Sequence, residues 1–206
     1  MRRWLLMTLM LAALPAFGYS KEWDFNVTLD HHELGQHRFV IESQGPYLKV
    51  DSDATFDYKL LLFSVFKYVH HDVEYWKGDC LTHLVSTTRT NDTHEEVRAE
   101  PVNDQLRVEH AGGWTEYSGC VKSFAYWNPD ILKERRLLNS QTGEYMHVTI
   151  NKIGRETIDV KGEPVTADRY HIQGKELSID IWYVDDEWVA LQASAAGGKL
   201  LRYKLK

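Results

Sequence analysis

Apolar and polar residues alternate along most of the chain, and turn residues interrupt the alternation about every ten positions. Alternation with a period of two is typical of strands that bury one face, and short connections between such strands favour antiparallel hairpins. The opening hairpin shows the pattern in its inward positions: Trp23, Phe25, Val27, Leu29, Phe39 and Ile41. The sequence therefore predicts an antiparallel all-β domain.

The later strands are predicted from the same alternation. One apolar run, over residues 55–76, is too long for a single straight strand, so we expect it to bend or break near residues 61–64. Gly154 is predicted to form a turn between two strands. The remaining predicted strands are 47–50, 81–90, 95–100, 105–110, 144–153, 156–160, 165–172, 177–184, 188–193 and 200–205.

One helix start is indicated at Asn128, Pro129 and Asp130. Asn128 is a good cap, Pro129 suits the first helical turn, and Asp130 interacts favourably with the positive end of the helix dipole. The sequence therefore predicts one short helix that ends near Asn139.

So many strands with one short helix do not form a flat sheet. A large twisted sheet curls into a barrel, a half-barrel or two packed sheets. A lipocalin-like barrel that is wider than its side chains can fill encloses a cavity, and a helix across the mouth closes it. This architecture connects the strand pattern to ligand binding.

The first 20 residues have the pattern of an export signal. Two arginines give a positive start, residues 4–17 form an apolar core that is too short to span a bilayer, and a small-x-small cleavage site follows. We expect cleavage near Gly18 to Ser20, which leaves a single domain over residues 21–206 in the periplasm or secreted. No later run approaches the about 20 apolar residues of a membrane helix, so no transmembrane segment is predicted in the mature chain.

The charge balance argues against nucleic acid as a partner. The chain has 24 basic and 30 acidic residues, a net charge of −6, and loss of the two N-terminal arginines makes it about −8. An acidic surface repels phosphate backbones, and the basic residues are spread singly along the chain. No glycine-rich phosphate loop or dinucleotide fingerprint is present, so we expect no cofactor.

Two cysteines, Cys80 and Cys120, are present. In an oxidising compartment an even count favours a disulfide, and the chain-entropy model gives a loop of this length about 4 kcal/mol of stabilisation. A metal pair or a redox couple is the alternative, but the two cysteines lack the C-x-x-C spacing of such sites.

Two motifs resemble those of an uncharacterised family of exported bacterial proteins, a domain of unknown function. They are FAYWNP, over residues 124–129, and LLNSQTGE, over residues 137–144. The resemblance extends over nearly all of the mature chain, and it implies a bacterial envelope setting and no particular activity. The chain is also distantly similar to the curved antiparallel sheets of periplasmic lipoprotein carriers, which is an analogy of fold alone.

The candidate ligand-binding residues surround the predicted helix: Tyr126, Trp127, Asn128, Asn139 and Gln141. If the helix closes the mouth of a barrel, the aromatic rings contact the apolar part of a ligand and the helix end contacts its polar part. Two alternatives remain open. In the first, Tyr126 and Trp127, with Phe124, fill the core while Asn128 acts only as a cap. In the second, the polar groups near Gln141 only hold the helix to the sheet.

His70, Asp72 and Glu74 alternate on one face of a predicted strand. A histidine and two carboxylates at a period of two can hold a metal, and three ligands with an open position are typical of hydrolytic zinc sites. A solvated ladder of hydrogen bonds and ion pairs explains the same residues, so none is predicted as a metal ligand. No Gly-x-Ser-x-Gly elbow is present, and catalytic residues stay unassigned.

The sequence thus predicts a non-catalytic exported β-barrel or half-barrel that binds or carries a small apolar or amphipathic molecule, such as a lipid, in the cell envelope. One alternative is a metal-assisted hydrolase that uses His70, Asp72 and Glu74. Another is a scaffold that binds a protein partner along an exposed sheet edge, either after Leu205 or before Trp23.

Overall fold

The computed structural model describes residues 19–60 and 63–206, so the predicted export signal lies almost wholly outside the described residues. The described part is an all-β fold, as the alternation predicts. Its strands are β1 Ser20–Leu29, β2 His32–Gln44, β3 Tyr47–Leu60, β4 Phe63–Lys77, β5 Cys80–Thr90, β6 Thr93–Val102, β7 Gln105–His110, β8 Gly113–Ser118, β9 Arg136–Leu138, β10 Tyr145–His147, β11 Thr149–Val160, β12 Glu163–Gln173, β13 Ser178–Val184, β14 Glu187–Ser194 and β15 Leu200–Leu205.

Thirteen of these strands form one antiparallel sheet in the order β11-β12-β13-β14-β15-β1-β2-β3-β4-β5-β6-β7-β8. The last strand returns to pair with the first, so that Phe25 lies opposite Leu205. The predicted sheet edges before Trp23 and after Leu205 are therefore wrong, because β1 and β15 satisfy each other's backbone groups in the middle of the sheet. The strands at its two ends are β8 and β11.

The sheet curls around one core. Phe39 in β2 and Trp188 in β14 are three strands apart, which is roughly 14 Å in a flat sheet. Their ring centroids are 5.1 Å apart. The face that carries these residues is called the inner face below, and its apolar side chains join strands from both halves of the sheet in a single buried cluster. The curled sheet explains how a ligand site can lie inside the fold.

The chain between β8 and β11, residues 119–148, covers the inner face and is called the crossing segment below. Trp127 of this segment packs edge-on against Trp76 of β4, with 5.3 Å between ring centroids. Tyr126 packs against Trp188 of β14, with 5.5 Å between centroids. The segment thus contacts both halves of the sheet.

The predicted helix is shorter than expected. Asn128 does cap it, because its side-chain oxygen accepts a hydrogen bond of 3.0 Å from the Asp130 N–H. The helix is a single 3-10 turn, Pro129–Lys133, and the prediction that it extends to Asn139 is wrong. Residues 136–138 instead form β9, which pairs with β10 and buries Leu137 and Leu138 completely. Adjacent buried leucines suit an extended segment that is covered on two sides.

Disulfide formation between Cys80 and Cys120 is confirmed, with 5.0 Å between the Cα atoms. The bond joins the start of β5 to the start of the crossing segment. It fixes the point at which that segment enters the inner face.

The long apolar run is divided into β3 and β4, which pair from Leu60 and Phe63 onward, and residues 61 and 62, where the break is predicted, lie outside the described residues. The predicted turn at Gly154 is wrong, because β11 continues through it. Gly154 has a φ of 155° and lies at a register shift against β12. Glycine in a strand interior commonly marks such a bulge. Within the described residues, no helix has the length and apolar character needed to cross a bilayer.

Substitution of Gly35 is expected to destabilise the fold. Gly35 has a φ of 151°, and a Cβ there would lie 2.0 Å from the Thr55 carbonyl oxygen in the neighbouring strand. We expect Gly35→Ala to lower the free energy of unfolding by about 1–2 kcal/mol more than Gly45→Ala, whose φ of 60° is also unfavourable but whose Cβ meets open space. Urea denaturation of both variants measures the difference, and equal midpoints would contradict the close approach of β2 and β3.

Candidate functional site

His70, Asp72 and Glu74 point inward from β4 and are buried, with 4%, 6% and 5% of their surface exposed. The interpretation of these residues as a solvated ladder is therefore wrong. Their positions have the same parity as Tyr68 and Trp76, which also belong to the core. That shared parity is the signal in the sequence from which the inward direction of these side chains could have been predicted.

The polar side chains of β4 bond to each other and to their neighbours. His70 Nε2 lies 3.0 Å from Asp72 Oδ2, and its Nδ1 lies 2.9 Å from the Thr88 hydroxyl of β5. The indole N–H of Trp76 donates a 2.8 Å hydrogen bond to Glu74 Oε2. Burial, and then the charge of Asp72, raise the pKa of Glu74 to about 8. At neutral pH its carboxyl group is therefore mainly protonated and uncharged.

A second histidine, His37 of β2, lies near this group. Its Nε2 is 2.9 Å from the Ser52 hydroxyl of β3, and its Nδ1 is 3.1 Å from the Tyr203 hydroxyl of β15. Burial, together with the nearby His70, lowers the pKa of His37 to about 3. His37 is thus a neutral hydrogen-bonding group and a weak base.

The side chains of His70, Asp72 and Glu74, together with His37 and Ser52, line a small pocket with a volume of about 130 Å³, called the polar pocket below. Four of the five predicted ligand-binding residues also line it: Tyr126, Trp127, Asn139 and Gln141. Asn128 does not, since its side chain is used as the helix cap. The crossing segment and the inner face thus meet at one site. Its lining residues are His37, Phe39, Val50, Ser52, His70, Asp72, Glu74, Ser123, Phe124, Ala125, Tyr126, Trp127, Asn139, Ser140, Gln141 and Leu177.

Tyr126 and Trp127 have two structural roles. They pack against Trp188 and Trp76 in the core, and they also form part of the pocket wall. The Tyr126 backbone carbonyl accepts a 2.7 Å hydrogen bond from the Tyr183 hydroxyl of β13, which holds the segment in place. The structure therefore combines the core-filling and the site-lining interpretations of these residues.

A larger pocket, called the apolar pocket below, has a volume of about 520 Å³. It shares Gln141 with the polar pocket, and the hydrogen bond between His37 and Tyr203 joins the walls of the two. The two pockets are therefore neighbours on the inner face. The lining residues of the apolar pocket are Leu29, Leu34, Phe56, Tyr58, Val65, Phe66, Tyr68, Gln141, Ala195, Lys199, Leu201 and Tyr203.

Comparison with known proteins places the chain in a family. Residues 25–206 match the family model for a domain of unknown function, DUF6134. The chain belongs to the DUF6134 family. This confirms the resemblance to an uncharacterised family that the sequence motifs indicate.

A solved structure shares the fold of this DUF6134 protein. It is the crystal structure of a beta-barrel-like protein of a second domain of unknown function, DUF1849, from Brucella abortus. The TM-score is 0.64 with 10% sequence identity, and the match covers 90% of this chain and 94% of that chain. At this identity the likeness establishes a barrel-like fold alone. A comparison with curated proteins found no match.

The site of this DUF6134 protein offers hydrogen bonding more readily than catalysis. Thr88 is hydrogen-bonded to His70 but is 2% exposed and lies outside the pocket lining. Ser52 does line the polar pocket, but its partner His37 has a pKa too low for an effective base near neutral pH. Among the described residues, no group of three His, Cys, Asp or Glu side chains is placed to hold a metal ion.

Sequence reasoning missed several pocket residues of this DUF6134 protein. His37 and Ser52 are not among the predicted ligand-binding residues, since they lie on two different strands and meet only through the sheet register, in which Phe39 pairs with Ser52. The apolar pocket was also not assigned residues. Its walls come from both ends of the chain, which the pairing of β1 with β15 brings together.

Proposed function

We propose that the protein is a non-catalytic exported protein that binds a small amphipathic, lipid-like molecule in the cell envelope. The observation that carries the proposal is the apolar pocket of about 520 Å³ beside a smaller polar one. Binding sites for small molecules are typically concave and mostly apolar, with a few placed polar groups that fix the orientation. The two adjacent pockets have this composition.

The ligand's apolar part is proposed to lie among the aromatic and aliphatic side chains, such as Phe56, Leu34 and Leu201. Its polar part is proposed to meet the hydrogen-bonding groups beyond the His37–Tyr203 pair. Export to the envelope is proposed from the N-terminal sequence pattern and agrees with a disulfide, because disulfides persist in oxidising compartments.

Filling the apolar pocket tests the proposal. Ala195 lines the pocket, and Ala195→Trp places an indole ring in it. We expect binding of the neutral apolar probe N-phenylnaphthylamine to weaken at least about tenfold, which corresponds to about 1.4 kcal/mol of binding free energy. Probe fluorescence titrated with protein measures the affinity.

The matched control is Ala111→Trp, which makes the same change in the exposed turn between β7 and β8. The control is expected to bind the probe like the wild type. If both variants bind equally well, the apolar pocket is not the binding site. A separate measurement identifies the natural ligand: the mature protein is extracted with organic solvent and the extract is analysed by mass spectrometry. The ligand is expected in the extract of the wild type and is expected to be depleted in that of Ala195→Trp.

A further inference from the structure

The polar pocket has an unusual wall chemistry. Two carboxyl side chains, Asp72 and Glu74, line it together with four aromatic rings: Phe39, Phe124, Tyr126 and Trp127. No lysine or arginine is among its lining residues in the described part of the chain. The nearby Lys122 is paired with Glu134 at 3.0 Å. The wall therefore offers two carboxyl groups and aromatic faces with no lysine or arginine, and the basic group beside them is His70, which pairs with Asp72 at 3.0 Å.

Such a wall discriminates between ligand charges. In a site of reduced dielectric, an anionic head group would be repelled by Asp72, and the wall has no lysine or arginine to compensate its lost hydration. A cation gains attraction to the carboxylate and to the negative faces of the aromatic rings. Aromatic walls with an acidic group are the usual way in which proteins recognise ammonium groups.

A second observation comes from β5. Ser86 pairs with Asp72 across the two strands, so both side chains lie on the inner face. The Ser86 hydroxyl is buried, with 1% of the residue exposed, and makes no hydrogen bond within the described part of the chain. A buried polar atom without a partner lowers stability and requires an explanation other than packing. The unpaired hydroxyl lies on the inner face beside Asp72, although Ser86 itself is not among the residues that line the pocket.

We infer that the polar end of the ligand is a cation, an ammonium group, which the polar pocket binds through Asp72 and Glu74 and through its aromatic walls. The inference rests on the proposed function for the ligand's apolar part. The small volume of the pocket, about 130 Å³, suits a compact head group better than a sugar or a diphosphate.

Proton linkage gives the inference a specific signature. Glu74 is mainly protonated near neutral pH, and a cation beside it favours the ionised form. The groups that face Glu74 are Asp72 on its own strand, which is paired with His70, and Ser123 and Trp76, which hydrogen-bond it. His37, on β2, is neutral above its low pKa and does not change charge in this range. Ammonium binding is therefore expected to release a proton and to strengthen as pH rises toward about 8.

The test compares three probes of equal chain length: octyltrimethylammonium, octanol and octanoate. Calorimetric titration of the mature protein is expected to show tightest binding for the ammonium compound, at least about tenfold tighter than for octanoate. Asp72→Asn is expected to reduce that preference about tenfold. The matched control is Asp53→Asn, which alters an exposed histidine–aspartate pair between Asp53 of β3 and His71 of β4.

The outcomes separate the inference from the proposed function. If octanol or octanoate binds as tightly as the ammonium compound, the cation assignment is overturned while the lipid-like ligand stands. If no octyl compound binds but N-phenylnaphthylamine does, the cation assignment is again overturned; if that probe also fails to bind, the proposed function falls as well. Should Asp72→Asn fail to fold, Glu74→Gln provides the second test. It is expected to abolish the rise in ammonium affinity with pH, and a pH dependence equal to that of the wild type would contradict the inference.

Discussion

Removing the Cys80–Cys120 disulfide is expected to lower the free energy of unfolding by about 4 kcal/mol. The bond closes a loop with a sequence separation of 40 residues, and without it the unfolded chain gains the entropy of that loop. For a chain of this size, the loss corresponds to a decrease in melting temperature of about 8–16 °C. The bond also anchors the crossing segment, which lines the polar pocket.

Thermal denaturation of the Cys80→Ser, Cys120→Ser double variant measures this effect, with the wild type in oxidising and reducing buffer beside it. The reduced wild type is expected to melt close to the double variant, and reductant is expected to leave the double variant unchanged. A double variant that melts with the oxidised wild type would show that the disulfide does not stabilise the fold. We also expect the reduced protein to bind N-phenylnaphthylamine more weakly, because the segment that covers the inner face is less firmly held.

Glu74 is expected to make the protein less stable as the pH rises. Burial raises the pKa of Glu74 from 4.5 to about 8. Between these values the carboxyl group is protonated in the folded chain and ionised in the unfolded chain, so unfolding releases a proton. Its contribution to stability is therefore complete below pH 4.5 and is lost as the pH rises through about 8, by at most about 1.4 kcal/mol per pH unit.

Glu74→Gln removes this pH dependence, since glutamine resembles the protonated carboxyl group. We expect the stability of the wild type relative to the variant to fall by about 2 kcal/mol between about pH 6.5 and about pH 8.5. His37 has the opposite effect. Because its pKa is lowered in the folded protein, the protein loses stability as the pH falls from 6.5 toward about 3. Working above about pH 6.5 keeps the two effects apart.

Urea denaturation across this range measures the slope, and Glu42→Gln, a change at an exposed position of β2, is the matched control. The control is expected to follow the wild type. Parallel curves for the wild type and Glu74→Gln would mean that Glu74 is ionised in the folded protein. That result would also remove the proton release expected on ammonium binding.

Local features of the sequence predicted most of the strands, although not β8, because hairpins depend on neighbouring residues. The turn after β6 uses Asn103 and Asp104, whose positive φ angles of 48° and 64° are those that a tight hairpin requires and that these residue types tolerate. Prediction failed where a residue has more than one structural use. Gly154 suits both a turn and a bulge, and only the pairing of β11 with β12 decided for the bulge.

The candidate site was predicted in part for the same reason. Tyr126 and Trp127 were found because they lie in a distinctive motif beside a helix start, and Gln141 because it lies in a polar loop that leads into a predicted strand. The direction of His70, Asp72 and Glu74 was misjudged, since polar residues on a strand are normally solvated. Tertiary packing buries them because their strand also carries Trp76 on the same face.

The sequence by itself determined the all-β class, the hairpins and the cap at Asn128, since each depends on residue type and on short-range spacing. The disulfide was predicted from the even count of cysteines and the expected oxidising compartment. Only the tertiary structure decided that β15 pairs with β1, that the crossing segment covers the inner face and that an apolar and a polar pocket are neighbours there. These features depend on contacts between residues far apart in the chain. These contacts are stabilised by the burial of aromatic residues from both halves of the sheet in one core, and no local sequence pattern specifies which distant residues are buried together.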